Sequence, residues 1–243
     1  MSQIVETRQL LDVHRMASAI LVSSDTGAIG QIIGEPGTGK SVAGKWLAKK
    51  LDAARVCCSH SISTNALLRK AYTAFSREAP PASNLMERLE VLAAGKLLIV
   101  DEANHLRWQQ LEALRYLADE AGTGLLLIGT DLLDRPFRDS RTNILLAQLA
   151  SRIGGKRIRF SHFTDMDEIV VHVLQPRFGS VSKTVAQMFF RKSGGFWRDA
   201  AELANACERM MQANGKEALT AEIVKVAAEW MAPARQPTGE TAS

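Results

Sequence analysis

Gly34-Glu35-Pro36-Gly37-Thr38-Gly39-Lys40-Ser41 is the stretch on which the reading of this chain turns. Glycine, four residues, then Gly-Lys-Ser is the spacing of a P-loop. A triphosphate needs several converging donors, and a backbone free of Cβ atoms at Gly34, Gly37 and Gly39 can curl its N–H groups around one. Lys40 supplies a mobile positive charge for the outer phosphates, and Ser41 a hydroxyl for Mg²⁺. The helix that starts here turns its positive end toward the same anion. Pro36 stiffens the loop, and Glu35, Thr38 and Val42 fall within the same cradle for ATP.

A glycine-rich turn could carry Gly-Lys-Ser by chance, so the flanks matter. Residues 28–33 (AIGQII) are an apolar run of strand length, and residues 42–51 have the spacing of an amphipathic helix. Strand, loop and helix is the order a P-loop requires.

Residues 96–106 (KLLIVDEANHL) form the second chemical centre. Four aliphatic residues ending in Asp101 and Glu102 describe a buried central strand that delivers two carboxylates to its C-terminal edge, where ligands collect in open α/β sheets. Asp101 is expected to hold Mg²⁺ and Glu102 to polarise the water that attacks the γ-phosphate. An ordinary strand followed by an acidic helix cap has the same local appearance. The position about sixty residues after a P-loop favours the carboxylate pair.

Residues 125–128 (LLLI) are another buried strand, ending at Gly129-Thr130-Asp131. Thr130 stands where a polar group could hold the attacking water or sense the γ-phosphate; the plainer reading makes it a turn residue. Residues 143–150 read as a helix running into Ser151-Arg152-Ile153, before a last strand near 156–160. An arginine just past a helix end can reach a neighbouring subunit's nucleotide as a finger. It can equally be solvated, and both readings stand at this point.

The remaining core elements follow from periodicity. Residues 4–22 place Val5, Leu10, Val13, Ala17, Ile20 and Leu21 near one helical stripe. A strand is expected at 55–59, helices at 65–76, 85–94 and 108–121, and a break at 79–83, where two prolines stop a helix. Beyond 161 no strand-like run follows. Thr164, with Asp167 three residues on, has the pattern of a helix start, and helices are expected at 181–192, 197–214 and 220–231. The expected organisation is an N-terminal helix (1–22) packed on an α/β nucleotide-binding core (23–160) with a five-stranded parallel sheet. A small all-helical lid (161–232) and a disordered tail (233–243) complete it.

Composition sets outer limits. A length of 243 residues is ample for a buried core, and a net charge of +4 permits contact with a polyanion without demanding it. Cys57, Cys58 and Cys207 have no metal-ligand spacing and read as buried thiols of a reducing compartment. The most apolar runs are too short to cross a bilayer, and the N-terminus lacks the pattern of an export signal. A cytoplasmic protein with no membrane partner is therefore expected.

One strand intervening between the P-loop strand and the Asp-Glu strand, followed by a helical lid, resembles the AAA+ ATPases. The segments GEPGTGKS, LLIVDEANHL, LLLIGTDLLD, LASRIGGKR and GGFWRD further resemble the transposition ATPases of the phage Mu B type and their relatives in Tn-family elements, over residues 4–230. By that resemblance Lys40 and Ser41 bind nucleotide and Mg²⁺, Asp101 and Glu102 are the Walker B pair, and Thr130 is the first sensor. The Mu protein has Asn at that sensor, and Thr130 is more similar to the Tn-type relatives. Arg152 matches a trans-acting arginine finger, and Arg198, in Gly195-Phe196-Trp197-Arg198, a second sensor reaching from lid to phosphate.

The same resemblance implies ATP-dependent homo-oligomeric filaments on duplex DNA that mark target sites and recruit a DDE transposase. Because the sequence starts almost at the core, DNA contacts are expected on the core itself. The candidates are His60, Ser61, Ser63, Arg69, Lys70, Arg77 and Arg88, whose basic members read equally as solvated helix faces. A helicase loader or a secretion ATPase would keep the core with another client. A small-molecule P-loop kinase is disfavoured by the Asp101-Glu102 pair and by the lack of an arginine-rich substrate lid.

Overall fold

Five short runs assemble into one parallel sheet in the computed structural model, which describes residues 7–23 and 28–231. They are β1 (Ile29–Gly34), β2 (Ala54–Cys57), β3 (Leu97–Asp101), β4 (Gly124–Ile128) and β5 (Arg157–Phe160), in the spatial order β2-β3-β4-β1-β5. Every residue of β1, β3 and β4 is buried, because helices cover both faces. A strand with no wet face needs no alternation, which is why these segments read as near-continuous aliphatic runs. β4 lies between β1 and β3, so the P-loop strand and the acidic strand flank it.

Successive side chains of a strand point to opposite faces, and two separate cores result. Ile29, Ile33, Leu98, Val100, Leu125 and Leu127 belong to the core beneath α3 (Thr64–Ser76), α4 (Leu85–Ala93) and α5 (Trp108–Ala121). Ile32, Leu97, Ile99, Leu126 and Ile128 pack with α1 (Arg8–Val22) and α2 (Lys40–Lys50) on the other face. α1 buries Leu10, Val13, Ala17 and Ile20, and the Thr7 side chain caps it by accepting from Leu10 N–H. Residues 4–6 of the anticipated first helix, with Val5, lie outside the described residues, as does the anticipated tail at 233–243.

Between β4 and β5 the chain departs from expectation. A 3₁₀ turn (Asp131–Asp134) and a short α6 (Arg135–Arg138) precede α7, which spans Ala147–Ile153 instead of 143–150. Local side chains compete with helix formation here. Asp139 Oδ1 accepts from Arg141 N–H at 2.8 Å, and Thr142 Oγ1 donates to the Pro136 carbonyl at 2.5 Å. Arg152 therefore sits inside the last turn of α7, not beyond it.

Cys57 is also corrected. It is exposed at the end of edge strand β2, while Cys58 and Cys207 are buried. An edge strand has a neighbour on one side only, so its last residue can turn to water.

The chain divides into two compact units after Ser161. The second unit is helical among its described residues: α8 (Met166–Ile169), a π turn (Val170–Leu174), α9 (Gln175–Phe178), α10 (Lys183–Ser193), α11 (Trp197–Ala213) and α12 (Ala221–Trp230). Its core gathers Phe163, Ile169, Leu174, Phe189, Leu203 and Val224 with their neighbours. The first helix starts one residue later than the Thr164 reading, because Asp165 takes the cap by accepting from Asp167 N–H. Pro176 in the first turn of α9 has no N–H to offer the preceding helix, and the chain widens into the π turn ahead of it.

Candidate functional site

β1 ends at Gly34 and α2 begins at Lys40, so the loop 35–39 bridges the C-terminal edge of the sheet to a helix N-terminus. Gly37 and Gly39 have φ of 86° and 97°, backbone that a side chain rarely tolerates and that lets successive N–H groups curve inward. Gly34 is required for another reason: a Cβ there would collide with the Phe160 carbonyl of β5.

Lys40 is 8% exposed, and its Nζ donates to the carbonyls of Gly34 (2.8 Å) and Glu35 (2.7 Å). Burial lowers its pKa, opposed by the negative charges of Glu102, Asp101, Asp131 and Glu35. The ammonium is thus folded against its own loop, surrounded by carboxylates and free to exchange carbonyl partners for phosphate oxygens. Thr38 is buried and donates to the Glu35 carbonyl, whereas Glu35, Pro36 and Val42 are exposed.

β3 brings Asp101 to the same edge. Ser41 Oγ donates to Asp101 Oδ1 at 3.3 Å, and the Glu102 N–H donates to that oxygen at 2.9 Å. A hydroxyl beside a carboxylate is a hard-oxygen donor pair, which fits Mg²⁺ held by one or two protein oxygens and by phosphates. No cluster of three His, Cys, Asp or Glu that could hold a metal by itself exists among the described residues. Glu102 is half-buried at φ 55°, a left-handed conformation uncommon for a residue with a side chain.

Two residues to which the motif reading gave no role complete the edge. Asn104 Oδ1 accepts from Thr130 N–H at 3.0 Å, and a Cβ at Gly129 would fall 2.8 Å from the same oxygen. This contact ties the acidic turn to the end of β4. Thr130 Oγ1 accepts from Leu132 N–H at 3.4 Å, so the hydroxyl caps the 3₁₀ turn while standing at the site's edge. Arg55, on β2, donates from Nη2 to Asp101 Oδ2 at 2.5 Å. A charged residue inside the short run Ala54-Arg55-Val56 is a legible anomaly, since a buried charge needs a partner. Only the fold shows which partner it has.

The other candidates lie elsewhere. Arg152 Nε donates to Asp119 Oδ1 at 3.0 Å, and Asp119 also accepts from Arg115. Asp119 is in the last turn of α5, which runs back from the end of β3 to the start of β4, so the pair sits at the edge opposite Lys40. Arg198 is exposed in the first turn of α11. Among the proposed DNA contacts, His60, Ser61, Lys70, Arg77 and Arg88 are exposed. Arg69 donates to the Pro81 carbonyl, Lys70 to that of Cys57, and Ser63 caps α3 by accepting from Ala66 N–H. The His60 ring meets His105 edge-on at 5.7 Å.

Comparison with known proteins gives this arrangement its relatives. Residues 23–137 match the model of the AAA domain. The DNA transposition protein B of the Mu-like prophage FluMu of Haemophilus influenzae is 44% identical over 57 residues, covering 22% of this chain and 20% of that protein. The ATP-dependent target DNA activator B of Escherichia phage D108 is 28% identical over 149 residues, covering 58% of this chain and 47% of that protein. These matches span less than half of the length of either relative. Among solved structures, the Aeropyrum pernix ORC2 protein with ADPNP and ADP superposes with a TM-score of 0.70 at 16% identity, over 98% of this chain and 72% of that one. That likeness shows the fold. No helix among the described residues is long and apolar enough to cross a membrane. Residues 23–137 thus match the AAA domain on a P-loop fold, and the chain is similar in part to the transposition protein B of the FluMu prophage and to the target DNA activator B of phage D108.

Proposed function

We propose that this chain is an ATPase that polymerises on duplex DNA in the cytoplasm when it holds ATP and Mg²⁺, marks the DNA as a transposition target and recruits a transposase. The observation that carries the reading is the convergence of Lys40, Ser41, Asp101 and Glu102 on one sheet edge, in a chain related to a protein described as an ATP-dependent target DNA activator. Lys40 neutralises the outer phosphates, and the loop N–H groups cradle them. Ser41 and Asp101 hold the metal, which would draw charge from the phosphates during transfer. Glu102 accepts a proton from the attacking water, and Thr130 orients that water from the far side of the turn. Arg198 reports nucleotide state from the helical unit.

Arg152 completes a neighbour's site, so ATP cements the polymer and hydrolysis releases it. Exposed basic residues such as Lys70, Arg77 and Arg88 repeat along the polymer, and many weak phosphate contacts add to tight, sequence-indifferent binding that falls steeply with salt.

ATP turnover and light scattering, with and without long duplex DNA at low and high salt, test the reading. Stimulated turnover and ATP-dependent growth of large particles are expected, both lost on Lys40→Ala. Indifference to DNA, with turnover raised by a small metabolite, would instead indicate a kinase and sink the proposal.

A further inference from the structure

Arg55 stands at the site with no motif to account for it. Its side chain is 21% exposed and pairs with Asp101, whose side chain is 2% exposed, and its Nε is buried without a partner. A desolvated arginine that makes one ion pair and leaves a donor orphaned is poorly explained by stability, since losing water at both ions offsets their attraction. Gly44 of α2 is buried nearby; a Cβ there would crowd Ile128 Cδ1 at 2.9 Å and only touch Arg55 Nε, at an ordinary contact distance of 3.6 Å.

The two oxygens of Asp101 have separate tasks. Oδ1 takes the Ser41 hydroxyl and the Glu102 N–H, while Oδ2 takes Arg55. The carboxylate cannot rotate without breaking the Arg55 pair. We propose that Arg55 is a positioning residue of the metal site: it anchors Oδ2 so that Oδ1 stays turned toward Ser41, where the cation that accompanies the nucleotide is held. This rests on Ser41 and Asp101 holding that cation.

The test is titration of the full chain with a fluorescent N-methylanthraniloyl ATP, across a Mg²⁺ series and in EDTA. Outer-shell partners of metal-ligating carboxylates are worth about 10–100-fold in metal affinity. Arg55→Ala is expected to raise the Mg²⁺ concentration at half-effect by about 10–100-fold while leaving affinity in EDTA within about twofold. Arg55→Lys, which keeps the charge and most of the reach, recovers most of the loss. Should Arg55→Ala fail to fold, Arg55→Gln is read in the same way. A Mg²⁺ midpoint that stays unchanged overturns the proposal, and so does one that falls, since arginine would then be competing with the cation. Asp101→Asn separates the two levels. If it abolishes the Mg²⁺ effect and Arg55→Ala leaves the Mg²⁺ midpoint unchanged, the positioning role alone fails; if neither variant alters the Mg²⁺ effect, the assignment of the cation to Ser41 and Asp101 fails first.

Discussion

Cys57 and Cys58 are adjacent in sequence and opposite in surroundings. Cys58 is buried in the core beneath α3, and burial pushes its thiol up to about 12, with the neighbouring Cys57 adding to the shift. Cys207 in the helical unit is pushed up to about 11, mainly by burial. The thiolate is the reactive form, so both should be inert in the native protein at pH 8. Cys57 is exposed. Mass spectrometry after brief alkylation of native protein is expected to find label on Cys57 alone, with the other two modified only in denaturant; fast native labelling of Cys58 would contradict the burial described. At this scale the meeting of Lys40, Ser41, Asp101 and Glu102 at one sheet edge was legible, because each belongs to a contiguous motif. The pairings of Arg55 with Asp101 and of Asn104 with Thr130 were not, since the partners are distant in sequence and meet only when the strands align.

β1, β3 and β4 were read almost to the residue because burial on both faces leaves an unbroken aliphatic signature. The junction between β4 and β5 was not, because Asp139 and Thr142 bond to nearby backbone and stop an otherwise apolar segment from coiling. Pairing between elements is also invisible from one segment. Gly34 reads as a phosphate-loop residue, yet in the register of β1 with β5 it faces Phe160, whose carbonyl occupies the space of a Cβ. Forcing a methyl group into packed backbone costs about 1–3 kcal/mol. Gly34→Ala should therefore lower stability by about 2 kcal/mol in urea melts run without nucleotide, by separating the two strands. A melt that matches the parent would return Gly34 to a purely phosphate-binding role.

The helices that link parallel strands run back against them, and this fixes where Arg152 can act. Lys40, Asp101, Glu102 and Thr130 gather at the C-terminal edge of the sheet, while α7 delivers Arg152 to the opposite edge, beside Asp119. The two edges are a strand's length apart, roughly 15 Å at about 3.3 Å per residue, so Arg152 is badly placed to serve its own nucleotide. In the proposed head-to-tail polymer the two edges of successive subunits would meet, each interface being built from one protomer's loop and its neighbour's arginine. Mixing two inactive variants tests this arrangement. Arg152→Ala retains an intact Glu102, and Glu102→Gln retains an intact Arg152. Each alone should turn over ATP at least about a hundredfold more slowly than the parent, given what a finger or a water-orienting group contributes. In a random 1:1 copolymer about a quarter of interfaces pair a sound Glu102 with a sound Arg152, so turnover near a quarter of the parent is expected on long duplex DNA. Activity of the mixture that stays at the sum of the two variants would mean that Arg152 does not act across the interface, and the proposed link between ATP and polymer growth would need another basis.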